Sequence, residues 1–326
     1  MDSAGAPLVS ILIRSMDRPT LARALHSAAA QSWPHLEIIV VAACGAAHRP
    51  LPATFEGRPL RLVHAASPRR LARAEAANVA IDAAQGDWLN FLDDDDELLP
   101  LHFAELLAAA RPAGERVVYG RTRVLDAAGN ELGLIGHAGN HVQFYFHSRS
   151  TTCATLFHRS LIDEGTRFDP EFGVHEDHDF FLNCATRTPF AFVDAATSVW
   201  HSQAGESGCG FGANDDPAQR ARAVAKIRHK WATAFDCWLQ DFGAVLFAGQ
   251  QYLKGGDLPA ALGCLEQALI LRPADVNALN LCGMANLQAG QLERAETLLS
   301  AALQRLPQHA GLRENLELAR RRRAAR

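Results

Sequence analysis

Apolar and polar positions along the chain fall into two regimes. From residue 8 to about 205, short aliphatic and β-branched runs alternate with stretches of helical character, whereas beyond about 240 the pattern is helical throughout. "LVSILI" (8–13) predicts a strand and residues 19–31 a helix; "LEIIVVA" (36–42) predicts a second strand and "RLARAEAANVAIDAA" (70–84) a second helix, closed by Gly86. "DWLNFL" (87–92) begins a third strand, and "FAFVDAATSVWH" (190–201) is a further strand-like run. Continuous apolar strands mark a sheet covered on both faces, and their alternation with helices marks an α/β domain.

The second regime is internally repetitive. At an offset of 34 residues Gly249 matches Gly283, Gly256 matches Gly290, Ala261 matches Ala295, Leu265 matches Leu299, Ala268 matches Ala302 and Pro273 matches Pro307. Small residues belong where antiparallel helices approach closely, glycine where the chain turns, and proline where the second helix of a unit ends. The two units, about 242–275 and 276–309, resemble tetratricopeptide (TPR) repeats, with residues 310–323 as a capping helix and Asn286 where the first unit has Tyr252. The expected organisation is an α/β domain over 1–235 and an all-α helical-repeat domain over 236–326.

Composition narrows the class. The chain has 326 residues, 48% of them hydrophobic, and no apolar run approaches the roughly 18–20 residues that span a bilayer. The N-terminus lacks a basic segment and a small-residue cleavage site, so a cytoplasmic protein without a transmembrane segment is expected. The seven cysteines are scattered with no C-x-x-C pair, which points to neither a zinc site nor a disulfide framework. A net charge of -4 does not direct the chain to nucleic acid or an anionic membrane. The basic cluster Arg320–Arg323 reads as a cationic helix end.

Two acidic clusters carry the candidate chemistry. In "FLDDDDELLP" (91–100) four aspartates follow the third strand, at the carboxyl edge of the sheet where α/β domains bind ligands. If the chain stays extended, Asp93 and Asp95 share one side and Asp94 and Asp96 the other, and "ELLP" then starts a helix. Two carboxylates can hold magnesium or manganese, which leaves its remaining positions to water and substrate phosphates. The ligand spacing of an EF-hand is absent. The second cluster, "FGVHEDHDFF" (172–181), offers carboxylates either as a general base or as ordinary first-turn helix acids. His175 and His178 are three apart, not the four that H-E-x-x-H requires. "GESGCGFG" (205–212) reads as a loop able to cover a site, and Arg69, Arg70 and Arg73 as either diphosphate contacts or a solvated helix face.

Taken in order, "VSILIRSMDRPTLARALHSAAAQSWPHLEIIVV", "AANVAIDAAQGDWLNFLDDDDELLP" and the later acidic cluster resemble the inverting family 2 glycosyltransferases of the GT-A fold, over about residues 8–205. The resemblance implies a Rossmann-like nucleotide-diphospho-sugar transferase domain using Mn2+ or Mg2+. Asp93 and Asp95 match the metal-binding D-x-D, with His201 as a further metal or phosphate contact. Asp17, Asp94 and Asn78 fall at nucleotide-sugar positions. Asp177 matches the catalytic base and Glu176 its acceptor-side partner. The acceptor implied is a glycan, a lipid-linked saccharide or a protein, as in cell-surface polysaccharide biosynthesis, and the repeats would bind that acceptor or a protein partner. One departure stands out: the acidic turn that the family places after the second strand, for the nucleobase, is here Ala42-Ala43-Cys44. That departure favours a rival reading, a non-catalytic interaction protein with a degenerate GT-A domain. A nucleotidyltransferase would need a glycine-rich basic loop after the first strand, and "RSMDRPTLA" supplies none.

Overall fold

The structure, a computed structural model, describes residues 5–110, 114–202 and 216–325. The chain divides into two compact units, Met1–Ala232 and Thr233–Arg326. The first opens with β1 (Val9–Ser15), α1 (Leu21–Ala29), β2 (Leu36–Ala42), β3 (Thr54–Phe55), β4 (Arg58–Val63), α2 (Arg73–Ala83) and β5 (Trp88–Asp93). It continues with β6 (Glu97–Leu98), α3 (His102–Ala109), β7 (Val117–Leu125), β8 (Glu131–Ile135), α4 (His141–Phe146), β9 (Thr155–His158) and α5 (Arg159–Asp163). α6 (Glu176–Ala185), β10 (Phe190–His201) and α7 (Pro217–Lys230) complete it.

The strands form one mixed sheet in the order β3-β4-β2-β1-β5-β9-β7-β10-β6, with β8 alongside β7. β4, β2, β1 and β5 are parallel; β9 runs antiparallel to β5 and β7, and β6 antiparallel to β10. All seven residues of β1 are buried. Val9, Ile11 and Ile13 pack with Leu21, Ala24, Leu25 and Ala28 of α1, whose spacing of three and four residues makes one apolar stripe. Leu12 and Ile39, pointing the other way, are equally buried. The sheet is thus covered on both faces, as the unbroken apolar runs require.

From β1 the chain steps to β2 on one side and later to β5 on the other. That reversal opens a crevice beyond the carboxyl ends of β1 and β5, the usual ligand position in such sheets. Two expectations need correction nearby. Gly86 does not cap α2, which ends at Ala83; it lies so close to β1 that a Cβ there would meet the Ser10 nitrogen at 2.6 Å. "ELLP" does not start a helix: Glu97–Leu98 pair with β10, and α3 waits until His102. A residue before proline disfavours the helical region, and the Leu99 N–H donates to the Thr197 carbonyl at 2.9 Å.

α8 (Ala232–Trp238) is followed by α9 (Phe242–Lys254), α10 (Leu258–Leu271), α11 (Val276–Gln288), α12 (Leu292–Arg305) and α13 (Ala310–Ala324). The 34-residue spacing recurs in the packing. A Cβ on Gly249 would come within 2.6 Å of Leu265, and one on Gly283 within 2.7 Å of Leu299. Gly256 and Gly290 take φ of 78° and 76° at the intervening turns. Asn286 is fully buried and donates to the Cys282 carbonyl. Arg320 and Arg323 of the terminal basic cluster pair with Glu296.

Candidate active site

The crevice is a cavity of about 570 Å3. The chain beyond β1, the start of α2, the aspartate run, residues 148–152, the start of α6 and the end of β10 all contribute to its wall. It therefore gathers both acidic clusters, which lie about 80 residues apart in the sequence.

The aspartates do not alternate as an extended strand would have them. β5 ends at Asp93, and the Asp96 N–H reaches back to the Asp93 carbonyl at 3.1 Å, so residues 93–96 form a turn. The four carboxylates then differ in how they are held. Asp93, in register with Arg14 on β1, takes the Arg14 guanidinium through both oxygens at 2.7 and 3.0 Å. Asp94 accepts the Met16 N–H at 2.7 Å, and Arg18 Nη1 bridges Asp94 and Asp95 at 3.0 and 2.8 Å. Asp96 is buried and accepts the His201 N–H at 3.1 Å.

Crowded carboxylates cannot all ionise at ordinary cost. Burial works to raise the Asp93 carboxyl, but the Arg14, Arg73 and Arg18 charges hold it below its usual value. Burial and the Asp93 charge push Asp95 up to about 6, against the pull of Arg18. Asp96 is raised well above the usual range by burial and then by Asp95 and Asp93. The turn thus holds more acidic groups than its arginines neutralise.

The first turn of α6 distributes four consecutive side chains to four places. Glu176, 3% exposed, accepts from Arg14 Nη1 at 3.0 Å, and burial raises its carboxyl despite that partner. Asp177 lines the cavity and its Oδ1 accepts the His178 N–H at 2.8 Å. His178 Nε2 donates to the buried Phe144 carbonyl at 2.6 Å, and burial lowers its pKa. Asp179 accepts from Lys230 and from the Trp231 indole, both at 2.9 Å. A rotation of about 100° per helical residue produces this fan, in which Glu176 and Asp177 line the cavity, Glu176 being held by Arg14.

Of the residues expected at the site, Asp93, Asp94, Asp95, Glu176, Asp177 and His201 line the cavity. Asp17 does not, although its neighbours Met16 and Arg18 do; its carboxylate is held by Arg49 through the backbone N–H and Nε, each at 3.0 Å. Asn78 lies elsewhere, with its amide paired to the Phe168 backbone in both directions at 2.9 and 3.0 Å. It braces α2 against the segment before α6. Arg69 pairs with Glu75, whereas Arg70 and Arg73 line the cavity. The glycine-rich stretch 205–212 lies outside the described residues. Arg14 and Arg18 were not marked by the sequence pattern. A charged residue closing an otherwise apolar strand was the available signal for Arg14.

The donor set fits a magnesium- or manganese-like cation in the manner of an open site. Among the described residues no three His, Cys, Asp or Glu side chains converge as a complete cage. Such ions need only one or two protein carboxylates when phosphates and water supply the rest. Asp95, in the cavity wall and under-neutralised, is the carboxylate suited to this; Asp93 is committed to Arg14, and the His201 ring to Glu97 at 2.7 Å.

Residues 10–165 match the family model described as Glycosyl transferase family 2. The chain is 32% identical over 205 residues to the succinoglycan biosynthesis protein ExoO of Rhizobium meliloti (strain 1021), spanning 57% of this chain and 58% of that protein. It thus covers less than two thirds of that relative's length. Among solved structures it is similar to S. aureus TarS 1-349 in complex with UDP-GlcNAc, with a TM-score of 0.57, 12% identity and 93% of each chain covered. The same fragment without that ligand overlaps at a TM-score of 0.48 and 13% identity, covering 98% and 92% of the two chains. Residues 10–165 are thus similar to the family 2 glycosyltransferases, in a mixed α/β sheet unit of GT-A-like fold that is followed by a helical region. No helix of the described residues is long and apolar enough to cross a membrane.

Proposed function

We propose that this protein transfers a sugar, with inversion, from a nucleotide-diphosphate sugar to an acceptor hydroxyl, using a divalent cation. The observation that carries the reading is the shared cavity wall: Asp95 at the carboxyl end of β5 and Asp177 at the start of α6 face one space. Asp95 would hold the cation, and His201, whose Nε2 is paired with Glu97, would contact it or a phosphate only on leaving that partner. When bound, the cation neutralises the charge that develops on the leaving diphosphate.

Asp177 acts as general base on the acceptor hydroxyl, and a carboxylate in hydrogen-bond reach supplies about a hundred- to ten-thousandfold in rate. Glu176 holds the turn through Arg14 instead of touching the acceptor. Asp94 presents the loop after β1 through the Met16 N–H, next to the donor. Ala43 lines the cavity where the family's acidic nucleobase contact belongs, so recognition of the base falls to other groups.

The sequence relative is a succinoglycan biosynthesis protein, which supports a growing polysaccharide as acceptor. The structural neighbour's bound UDP-GlcNAc makes uridine nucleotides the first donors to test. The helical region is proposed as two TPR repeats and a cap that recruit acceptor or partner, supported by the 34-residue recurrence of the Gly–Leu contacts. Radiolabelled transfer from a panel of nucleotide sugars to polysaccharide fragments, with and without Mn2+, tests the activity. No transfer and no donor hydrolysis with any of them contradicts it.

A further inference from the structure

We infer that Arg18 is an exchangeable counter-ion of the aspartate turn: it occupies Asp95 until a nucleotide diphosphate draws it away, so cation and nucleotide enter together. The inference rests on the metal-dependent reading of the site and concerns how that site is loaded.

The two arginines at the turn are held very differently. Arg14 is 9% exposed and uses Nε, Nη1 and Nη2 on Asp93 and Glu176. Arg18 has a side chain 19% exposed and uses Nη1 alone, shared between Asp94 and Asp95. Among the described residues its Nε and Nη2 donate to no partner, and the residue lines the cavity. A guanidinium fork matches a phosphate through two parallel donors. Arg18 therefore has unused donors where a diphosphate would lie.

The carboxylates are also unequal. Asp93 belongs to Arg14, Asp94 spends Oδ2 on the Met16 N–H, and Asp96 is buried against the His201 N–H. Among the described residues Asp95 has Arg18 as its one side-chain ion partner. A guanidinium does not lose its proton in proteins, so the Arg18 charge, 2.8 Å from Asp95 Oδ2, opposes a divalent cation at the same carboxylate. The cation binds more tightly when Arg18 turns aside. A diphosphate gives Arg18 a better partner and gives the cation phosphate oxygens, so each ligand favours the other, and by linkage the effect is reciprocal.

Mn2+ binding to the full chain, read by the electron paramagnetic resonance of free Mn2+ against a protein-free Mn2+–UDP blank, tests this without any activity. In the wild type UDP should tighten Mn2+ by about tenfold or more, a coupling of ordinary size. Arg18→Gln should bind Mn2+ alone about tenfold tighter and lose most of the coupling. Arg18→Lys, which keeps the charge and loses the fork, should bind Mn2+ alone like the wild type yet still lose coupling. Unchanged Mn2+ affinity in Arg18→Gln, or undiminished coupling in both variants, overturns the role of Arg18 while leaving the transferase reading intact. A wild-type protein that binds neither Mn2+ nor UDP overturns both.

Discussion

Arg14 and Glu176, 162 residues apart in the chain, meet at 3.0 Å in the interior of the first unit. Because the same guanidinium also grips Asp93, one buried cation ties the end of β5 to the start of α6. The donor-side turn and the turn bearing the proposed base are thereby fixed to each other. Burial works against the Arg14 charge, but Asp93 and Glu176 more than offset it and raise its pKa.

Arg14→Met leaves both carboxylates without their cation. Breaking a buried pair by removing one partner costs about 3–5 kcal/mol. Equilibrium denaturation of the variant should show a loss of that order, with Arg14→Lys falling between the two proteins. A loss under about 1 kcal/mol for Arg14→Met would show that the triad contributes little.

Asn78→Ala should lower stability by about 1–3 kcal/mol, because the Phe168 N–H and C=O lose their partners. Nucleotide affinity should not change. A drop in affinity at unchanged stability would return Asn78 to the donor site, where the sequence resemblance puts it.

The sequence made the sheet readable because continuous apolar runs constrain strands strongly, and β1, β2 and β5 lie within two residues of their expected bounds. It made both acidic clusters readable because carboxylates have no packing reason to end a buried strand. It did not reveal which carboxylates were spoken for. Asp93 depends on Arg14 in the neighbouring strand and Asp17 on Arg49, and such pairings are set by register and loop path, not by spacing. The expected alternation from Asp93 to Asp96 failed because the chain turns at Asp94, where period-two logic stops.

Protonation of His102 should limit stability in acid. The ring is fully buried at the start of α3, its Nδ1 donates to the Thr197 carbonyl at 3.1 Å, and burial lowers its pKa to about 3 from 6.5. The folded state therefore resists a proton that the unfolded chain accepts. This contribution is complete above pH 6.5 and is lost as pH falls from there towards 3, at up to about 1.4 kcal/mol per pH unit. His102→Asn keeps the donor and removes the titration, so denaturation midpoints between pH 4 and 7 should fall less steeply in the variant. Equal slopes would remove His102 from the account.

Asp177→Asn should bind nucleotide sugar and cation as the wild type does while losing transfer by about a hundred- to ten-thousandfold. Single-turnover transfer, measured with the donor saturating, separates the two effects. Retained transfer in the variant would assign the base elsewhere.

The most direct test of the central claim is calorimetric binding of UDP-sugars to the wild type and to Asp95→Ala, each with and without Mn2+. The account predicts Mn2+-dependent binding in the wild type. A ligand at about a hundred times its dissociation constant would then add about 2.7 kcal/mol of stability, and both the binding and the stabilisation vanish in Asp95→Ala. Equal binding by both proteins, or binding indifferent to Mn2+, would contradict it.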